Sequence, residues 1–426
     1  MDIKLNKINS FKRELCVSVP WDDLKDNYQN TCNKYISNYT PKGGRKGKLN
    51  SFQMKQFKLE HTTSIDMTFK EDAMNEFYRK VLEKESIQPI NKAEITKLEF
   101  KEGMDLEFIA IFEVTPLFKL PNYKKKYKIS TIKYIASDED VNMSLDEVQE
   151  KFSTLEEVKS KAKTGHFVNG DFQELSESGE PIPDKIMKNQ YIKLGSGNFT
   201  GEFEKDFIGS KSGDIIKTSI NIGDQKVPYE VNIKKIENQI MPDLDDILAK
   251  KVDPQVKSLK ELKNKIQGNI QNSLDQEHKK AIHNSIIDYF TKKTKVEPPT
   301  SMIDNYMEYI IQDMKQKDAN LNEEEIKNEY YTIAEKNVKW YLIKNELIKI
   351  NDLTVSSKEM DQKIDEFIGQ TKEQEKQIKE FYKKDENLNN LYEQLLNDKL
   401  FEEIGVFAIN KISEKPTTHL RKESQL

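Results

Sequence analysis

One short window of the sequence carries residue types suited to binding anions. Residues 40–51, "TPKGGRKGKLNS", hold Lys42, Arg45, Lys46 and Lys48 and no acidic residue, although the chain has 73 acidic and 68 basic side chains. An arginine guanidinium presents a planar fork of donors that matches phosphate or carboxylate, and lysine adds a point charge. This basic window therefore predicts an anion-docking loop, with a merely solvated charge run as the alternative.

The same window is rich in glycine, and its charge contrasts with that of the whole chain. Gly43, Gly44 and Gly47 permit positive φ angles and let a partner approach the backbone closely. The net charge of -5 argues against a protein that coats nucleic acid with its whole surface. We therefore expect any anionic partner to be bound locally, at the basic window.

The elements that position this window read as a small α+β domain. Residues 13–19 alternate polar and apolar side chains as a half-buried strand does, and Pro20 is placed to open a helix. Apolar residues within 74–82 recur at helical spacing, and those within 106–114 alternate as a second strand. The pattern predicts that the basic window joins two helices at an exposed tip of this domain.

The rest of the 426 residues predicts an α+β multidomain protein. We expect an N-terminal domain over residues 1–115 and an extended linker followed by a short helix over 116–160. A glycine-punctuated, β-rich domain follows over 161–240. Long helical stripes then predict an all-α domain over 241–415, and 416–426 is predicted to be a disordered tail.

Several classes of protein are disfavoured by composition. Cys16 and Cys32 are too few for a disulfide framework, which favours a reducing compartment. The first residues lack the apolar run of a signal peptide, and no window approaches the ~18 apolar residues of a membrane span, so we expect a cytoplasmic protein. His278 and His283 are five residues apart and are expected at the surface, and no metal or cofactor is predicted.

The basic window also carries a resemblance to the trigger factor family of nascent-chain chaperones. In that family the tip reads G-F-R-x-G-x-x-P, and the stretch "GGRKGKLN" is similar to it. The matching positions are Gly43, Arg45, Lys46 and Gly47. The sequence departs from the motif at Gly44, where the family has an aromatic residue, and at Asn50, where it has proline.

Motifs in the family's order extend the resemblance over nearly the whole chain. The segments "GHFVNGDFQELSESGEPI", "FEKDFIGSKSGD" and "YEVNIKKIENQIMPDL" resemble parts of the family's FKBP-type domain. The segments "VEPPTSMIDNYMEYII" and "EFYKKDENLNNLYEQLLNDKLFEEI" resemble its C-terminal helices. The resemblance implies an α+β ribosome-binding domain, an FKBP-like β-rich domain and an all-α C-terminal arm domain.

The resemblance also implies a function and partners. It implies an ATP-independent chaperone that docks on the large ribosomal subunit near the exit tunnel, through RNA phosphates and a ribosomal protein, and shields nascent and unfolded polypeptides. A weak homodimer away from the ribosome is implied too, and a membrane partner is not. The implied docking residues are Gly43, Gly44, Arg45, Lys46, Gly47 and Lys48.

The FKBP-like segment implies a peptidyl-prolyl isomerase whose activity here we expect to be weak or absent. By the family's motifs the pocket-lining residues are Asp171, Phe172, Phe203 and Tyr229. Aromatic residues of a small β domain equally serve as its core. Thr200, Gly201 and Glu174 depart from the family pattern, and "INIGDQKVPYEV" is too short to hold the usual flap.

Client binding by such a chaperone would use adaptable apolar side chains on the helical domain. The candidates are Met302, Tyr306, Met307, Tyr309 and Met314. A Met and Tyr stripe of this kind is also typical of helix-packing core. Two other functions stay open at this point, a stand-alone cytosolic prolyl isomerase and an RNA-binding factor.

Overall fold

A computed structural model describes residues 1–176, 178–197, 201–222, 225–370 and 375–423. The chain divides into two compact units. The first unit combines residues 1–130 with 282–411, and the second combines residues 131–281 with 412–426.

The described residues contain both strands and helices, numbered here in chain order. The strands are β1 (Asp2–Lys7), β2 (Lys12–Val19), β3 (Glu94–Glu99), β4 (Leu106–Glu113), β5 (Tyr127–Ile135), β6 (Thr154–Glu157), β7 (Phe167–Leu175), β8 (Pro181–Lys193), β9 (Ile215–Ile222), β10 (Gln225–Ile240) and β11 (Ala408–Pro416). The helices are α1 (Trp21–Asn38), α2 (Ser51–Lys84), α3 (Asp138–Lys151), α4 (Glu202–Phe207), α5 (Asp246–Val252), α6 (Leu259–Lys293), α7 (Thr300–Lys317), α8 (Glu323–Ile350), α9 (Ser357–Gln370), α10 (Glu375–Tyr382), α11 (Asp385–Gly405) and α12 (Thr418–Glu423). The predicted mixture of β-rich and helical regions is confirmed.

In the first unit, an antiparallel sheet of order β1-β2-β4-β3 packs on α1 and α2. Alternate residues of β2 and β4, such as Val17 and Phe108, point into the same core because they are register partners. That core also takes Leu24 and Tyr28 from α1 and Phe57 from α2. Pro20 occupies the N-cap position of α1, so the helix begins beside this proline as the sequence predicted.

Helix α2 is longer than the sequence pattern indicated. The apolar face within residues 74–82 is only its C-terminal part, because α2 begins at Ser51 and runs for 34 residues. Exposed apolar residues in its first half, Phe52, Leu59 and Met67, blur the amphipathic period there. One long helix therefore spans most of the segment between the basic window and β3.

The helices of the first unit form two further clusters. Helices α7 and α8 pack as a pair through Ile303, Met307, Ala334 and Val338. A larger cluster joins aromatic residues before and within the start of β5 to α6, α8 and α11, including Tyr123, Tyr127, Phe290 and Leu400. The hydroxyl of Tyr127 donates to the Ile404 carbonyl at 2.9 Å.

The second unit contains a five-stranded antiparallel sheet of order β6-β10-β7-β8, with β9 also paired to β10. Its core includes Val168, Phe172, Leu194, Phe207 and Val231. A separate cluster joins α3, α5 and the first half of α6 through Leu145, Ala249 and Leu262.

Three further features differ from the sequence expectations. Helix α3 ends at Lys151, because residues 154–157 instead form β6, which pairs with β10. His283, expected at the surface, is half-buried and stacks on Phe401 with ring centroids 3.9 Å apart. The segment predicted as a tail contains Pro416 at the end of β11 and helix α12, and residues 424–426 lie outside the described residues.

Candidate docking site at the interhelical tip

The basic window folds as a succession of tight turns between α1 and α2. The N–H of Gly44 donates to the Pro41 carbonyl at 3.0 Å, and that of Gly47 donates to the Tyr39 carbonyl at 2.9 Å. Gly43 and Gly47 both have φ of 71°, a conformation in which side chains are strained. The sequence prediction of a glycine-dependent loop joining two helices is confirmed.

Asn50 fixes the point at which the window enters α2. Its side-chain oxygen accepts from the N–H groups of Phe52 at 3.1 Å and Gln53 at 2.9 Å. The amide of Gln53 also donates to the Lys42 carbonyl at 3.5 Å. A polar cap therefore constrains this loop where the family motif has proline.

The other departure from the motif, Gly44, also has a local physical reason. A Cβ atom at this position would lie 2.7 Å from Cγ of Pro41 and 3.2 Å from Nε2 of Gln53. Pro41 is buried and its ring has little freedom to move aside. Any side chain at position 44, including the aromatic one of the motif, would therefore require Pro41 to shift.

The cations of the basic window are exposed and uncompensated. Among the residues that the structure describes, Lys42, Arg45, Lys46 and Lys48 have no ion-pair partner. The absence of acidic residues extends well beyond the window, over residues 27–59. That longer stretch has seven basic residues, Lys34, Lys42, Arg45, Lys46, Lys48, Lys55 and Lys58. Charge counting over a longer window would have found this larger basic surface.

An aromatic cluster supports the base of the window. The ring centroid of Tyr39 lies 5.1 Å from that of Phe57 and 5.1 Å from that of His61. Phe57 is buried in the core of the sheet and helices, so these contacts tie the loop to the rigid part of the domain. The arrangement holds the cluster of positive charge at a fixed place on the domain surface.

Two family models match this chain over the segments that hold the tip and the helical pairs. "Bacterial trigger factor protein (TF)" matches residues 1–148, and "Bacterial trigger factor protein (TF) C-terminus" matches residues 258–405. The chain belongs to the trigger factor family. Trigger factors are ribosome-associated chaperones that bind the ribosome and nascent chains.

Individual trigger factors are similar over nearly their full lengths. The trigger factor of Desulfotalea psychrophila is 25% identical, covering 94% of each chain. That of Geotalea daltonii is 26% identical over 94% of this chain and 96% of its own. A solved structure of the trigger factor chaperone, described for promiscuous substrate recognition in folding and assembly, has a TM-score of 0.59 at 16% identity. It covers 95% of this chain and 99% of its own.

The four candidate isomerase residues of this trigger factor lie in the second unit. Three of them belong to its hydrophobic core. Phe172, Phe203 and Tyr229 are buried members of one hydrophobic cluster, with the Phe172 and Tyr229 rings 6.5 Å apart. The Asp171 carboxylate accepts from Nζ of Lys234 at 2.6 Å and from the Asn189 N–H at 2.8 Å. These bonds hold the pKa of Asp171 below its usual range.

The residues that depart from the isomerase motif are placed as follows. Glu174 makes an ion pair with Lys185, and Gly201 precedes α4 with φ of 69°. Thr200 lies outside the described residues. Strands β9 and β10 pair as far as Ile222 and Gln225, so only two residues connect them. The connection is as short as the sequence indicated.

The candidate client-binding residues of α7 differ in exposure. Met307 is buried in the α7–α8 core, whereas Tyr309 is 65% exposed. Met302 and Tyr306 are partly buried, and the Tyr306 hydroxyl accepts from Nδ2 of Asn337 at 3.0 Å. Met314 is half-buried. A groove of about 900 Å³ lies between α7 and α8, and its lining mixes charged side chains with apolar ones such as Met307 and Ile311.

A second candidate client surface was missed from the sequence. Phe367 on α9 and Gln377, Ile378, Phe381 and Tyr382 on α10 line an apolar groove of about 310 Å³. The Phe367 and Tyr382 rings stack 6.1 Å apart, and Phe381 is 54% exposed. The i, i+3, i+4 spacing of the three apolar residues on α10 was a usable signal. We call this surface the aromatic groove.

Within the described ranges, no group of three or more His, Cys, Asp or Glu side chains could hold a metal ion. None of the helices in those ranges is both long and apolar enough to cross a membrane.

Proposed function

We propose that this trigger factor docks beside the exit tunnel of the large ribosomal subunit through residues 42–48. The proposed contacts are made by Arg45, Lys46 and their neighbours to ribosomal RNA phosphates and to acidic side chains of a ribosomal protein. The observation that carries this proposal is the set of four exposed cations without ion-pair partners, on a loop constrained by turns and a helix cap. Net acidity elsewhere disfavours indiscriminate binding to RNA.

A competition experiment tests docking against the alternative of a general RNA-binding factor. Labelled protein bound to intact large subunits is challenged with unlabelled subunits or with RNA extracted from them. We expect intact subunits to compete better, because the extracted RNA lacks the protein contacts. Equal competition by both would favour the RNA-binding alternative. Binding should weaken with added salt in either case.

We further propose that nascent and unfolded polypeptides bind the aromatic groove and the exposed edge of α7 around Tyr309. Phe381 and Tyr309 combine large apolar area with exposure, which suits weak and non-selective contacts. Such a chaperone needs no cofactor, because release can follow from competition with client folding. We expect the protein to be cytoplasmic, with a weak homodimer away from the ribosome.

The FKBP-like segment is proposed to have little isomerase activity. Its three pocket-position aromatic residues are buried in core, and its Asp171 carboxylate is engaged by Lys234. A prolyl-peptide isomerisation assay tests this, since the uncatalysed reaction takes tens of seconds and is easily followed. A rate in the presence of protein that matches the uncatalysed rate is expected. Strong acceleration would instead favour the stand-alone isomerase function.

We also propose that the domains have the limits that the sequence predicts, including 1–115, 161–240 and 241–415. Residues 1–115 contain the whole sheet β1-β2-β4-β3 together with α1 and α2, which suits a ribosome-binding domain. Residues 161–240 contain β7 to β10, and 241–415 contain α5 to α11. Limited proteolysis would test whether cleavage concentrates near these limits.

A further inference from the structure

Two large apolar side chains stand exposed on α2 immediately beyond the basic window. Phe52 is 75% exposed and Leu59 is 89% exposed. Each is seven residues from the other, which places both on the same helix face, about 10.5 Å apart along the axis. Lys55 lies between them, three residues from Phe52 and four from Leu59, and is also exposed. We call Phe52 and Leu59 the apolar strip.

The apolar strip is tied structurally to the cations of the basic window. The N–H of Phe52 donates to the Asn50 side chain, and the neighbouring Gln53 amide donates to the Lys42 carbonyl at 3.5 Å. The first turn of α2 is therefore held against the loop that carries Arg45 and Lys46. The first acidic residue after the window is Glu60, directly beyond the strip.

We propose that the apolar strip is part of the docking site, and that it binds a protein of the large subunit whose surface presents an apolar patch bordered by acidic side chains. This inference rests on the proposed docking of residues 42–48. Charge complementarity favours this partner, because Lys48 and Lys55 flank the strip without an ion-pair partner among the described residues, although Lys58 pairs with Glu102 at 3.6 Å. Buried aromatic anchors surrounded by polar contacts are typical of protein interfaces.

A protein partner fits the strip better than RNA does. Phosphates would satisfy the cations, and a base could stack on Phe52, but an aliphatic side chain such as Leu59 offers no stacking face. Burial of both side chains requires an apolar surface at least as long as their separation. A patch on a ribosomal protein supplies one.

The strip also explains how docking gains apolar contact when the loop itself offers none. Gly44 has no side chain, and a Cβ there would collide with Pro41. Phe52 is the exposed aromatic side chain nearest to Gly44 in the sequence. The Asn50 cap fixes the start of α2 and therefore the position of Phe52 in its first turn. The anchor lies on α2 instead of within the loop.

Binding to large subunits distinguishes this role from general surface effects. Phe52→Ala should weaken binding about tenfold, and Leu59→Ala somewhat less, as expected for apolar side chains buried at an interface. The controls are Leu117→Ala and Tyr341→Ala, which remove an aliphatic and an aromatic side chain from exposed positions outside the proposed sites. Vacant subunits are used so that client binding does not contribute. Unchanged affinity for Phe52→Ala and Leu59→Ala would overturn the proposal.

Salt titration separates the apolar strip from the charged contacts. Loss of Phe52 should lower affinity by the same factor at every salt concentration, whereas Arg45→Ala with Lys46→Ala should also flatten the salt dependence. If only the charge variant loses binding, docking stands and the strip has no role. If neither variant loses binding, the proposed docking site itself is wrong.

The class of partner is tested by a photo-reactive phenylalanine analogue placed at position 52 in the full chain. We expect its adducts with large subunits to contain a ribosomal protein. Adducts with RNA alone would contradict the proposed partner, and equal weakening of binding to extracted RNA by Phe52→Ala would do the same.

Discussion

The side chains and backbones of Asn50 and Gln53 are joined by two reciprocal hydrogen bonds at the start of α2. The Asn50 side chain accepts from the Gln53 N–H at 2.9 Å, and the Gln53 side chain accepts from the Asn50 N–H at 3.1 Å. This capping box satisfies donors that a helix N-terminus otherwise leaves open. It sets the geometry of the basic window without the proline of the family motif.

Removing this cap should weaken both folding and docking. Asn50→Ala is expected to lower the free energy of unfolding by about 1 kcal/mol, the usual cost of losing an N-cap. Binding to large subunits should weaken as well, because the loop and Phe52 lose a shared constraint. Asn50→Ser keeps a capping oxygen and should retain most of both properties. If Asn50→Ala matched the wild type in both urea unfolding and subunit binding, the proposed role of the Asn50 cap would be contradicted.

Restoring a side chain at Gly44 should not restore the family's tip. Gly44→Phe is expected to destabilise the protein by about 1–3 kcal/mol, because its Cβ meets the Pro41 ring before the aromatic group is placed. Gly44→Ala tests the clash alone. Its control is Gly369→Ala in α9, where an added Cβ meets nothing within 4 Å and the change should be neutral or stabilising. If calorimetry showed the same change in unfolding temperature for Gly44→Ala and Gly369→Ala, the predicted steric clash at Gly44 would be contradicted.

The aromatic groove should contribute to holding unfolded clients. Ile378→Ala with Phe381→Ala is expected to weaken binding of an unfolded polypeptide about fivefold, since the pair supplies much of the groove's apolar area. The readout is suppression of aggregation of a chemically denatured client. Leu117→Ala with Ile8→Ala removes exposed apolar side chains elsewhere and should leave suppression unchanged. Equal loss in both double variants would assign the effect to overall hydrophobicity.

Glu359 should make stability depend on pH in acid. Its carboxylate accepts from Nζ of Lys399 at 2.6 Å and from the N–H and hydroxyl of Ser356, which together lower the pKa of Glu359 to about 2. A lowered folded-state pKa stabilises the protein above the unfolded value of 4.5. That contribution is lost as pH falls from about 4.5 through about 2.

The pH prediction is checked with the variant Glu359→Gln. The stability difference between wild type and this variant should be largest above pH 4.5 and shrink toward pH 2, as measured by urea unfolding. Glu366→Gln removes an exposed carboxylate from the same helix, where it pairs with the neighbouring Lys363, and serves as the control. A difference independent of pH would exclude the proposed role of Glu359. The effect should be small because these groups are near the surface.

The basic window was predictable because its signal is local. Charge, glycine content and the flanking helical patterns all lie within a few dozen residues, and the structure places Arg45 and Lys46 at an interhelical tip. The first half of α2 was less predictable, because exposed Phe52 and Leu59 interrupt the amphipathic pattern. In the sequence alone, an apolar side chain exposed on a helix cannot be told apart from an irregularity in the amphipathic pattern.

The features that the sequence could not predict are those that depend on which side chains are buried. Whether Phe172, Tyr229 and Met307 line a site or fill a core depends on contacts made by distant segments, and the structure places all three in core clusters. The ion pair between Asp171 and Lys234 joins two strands far apart in sequence. Composition and spacing carry no direct record of such long-range contacts.

The central claim is tested most directly by co-sedimentation with large ribosomal subunits. The test variant is Arg45→Ala with Lys46→Ala, and the control is Lys124→Ala with Lys125→Ala, which removes the same charge from exposed positions outside the basic window. We expect the test variant to lose most binding and the control to keep it. Equal binding by the test variant and wild type would contradict docking through this tip.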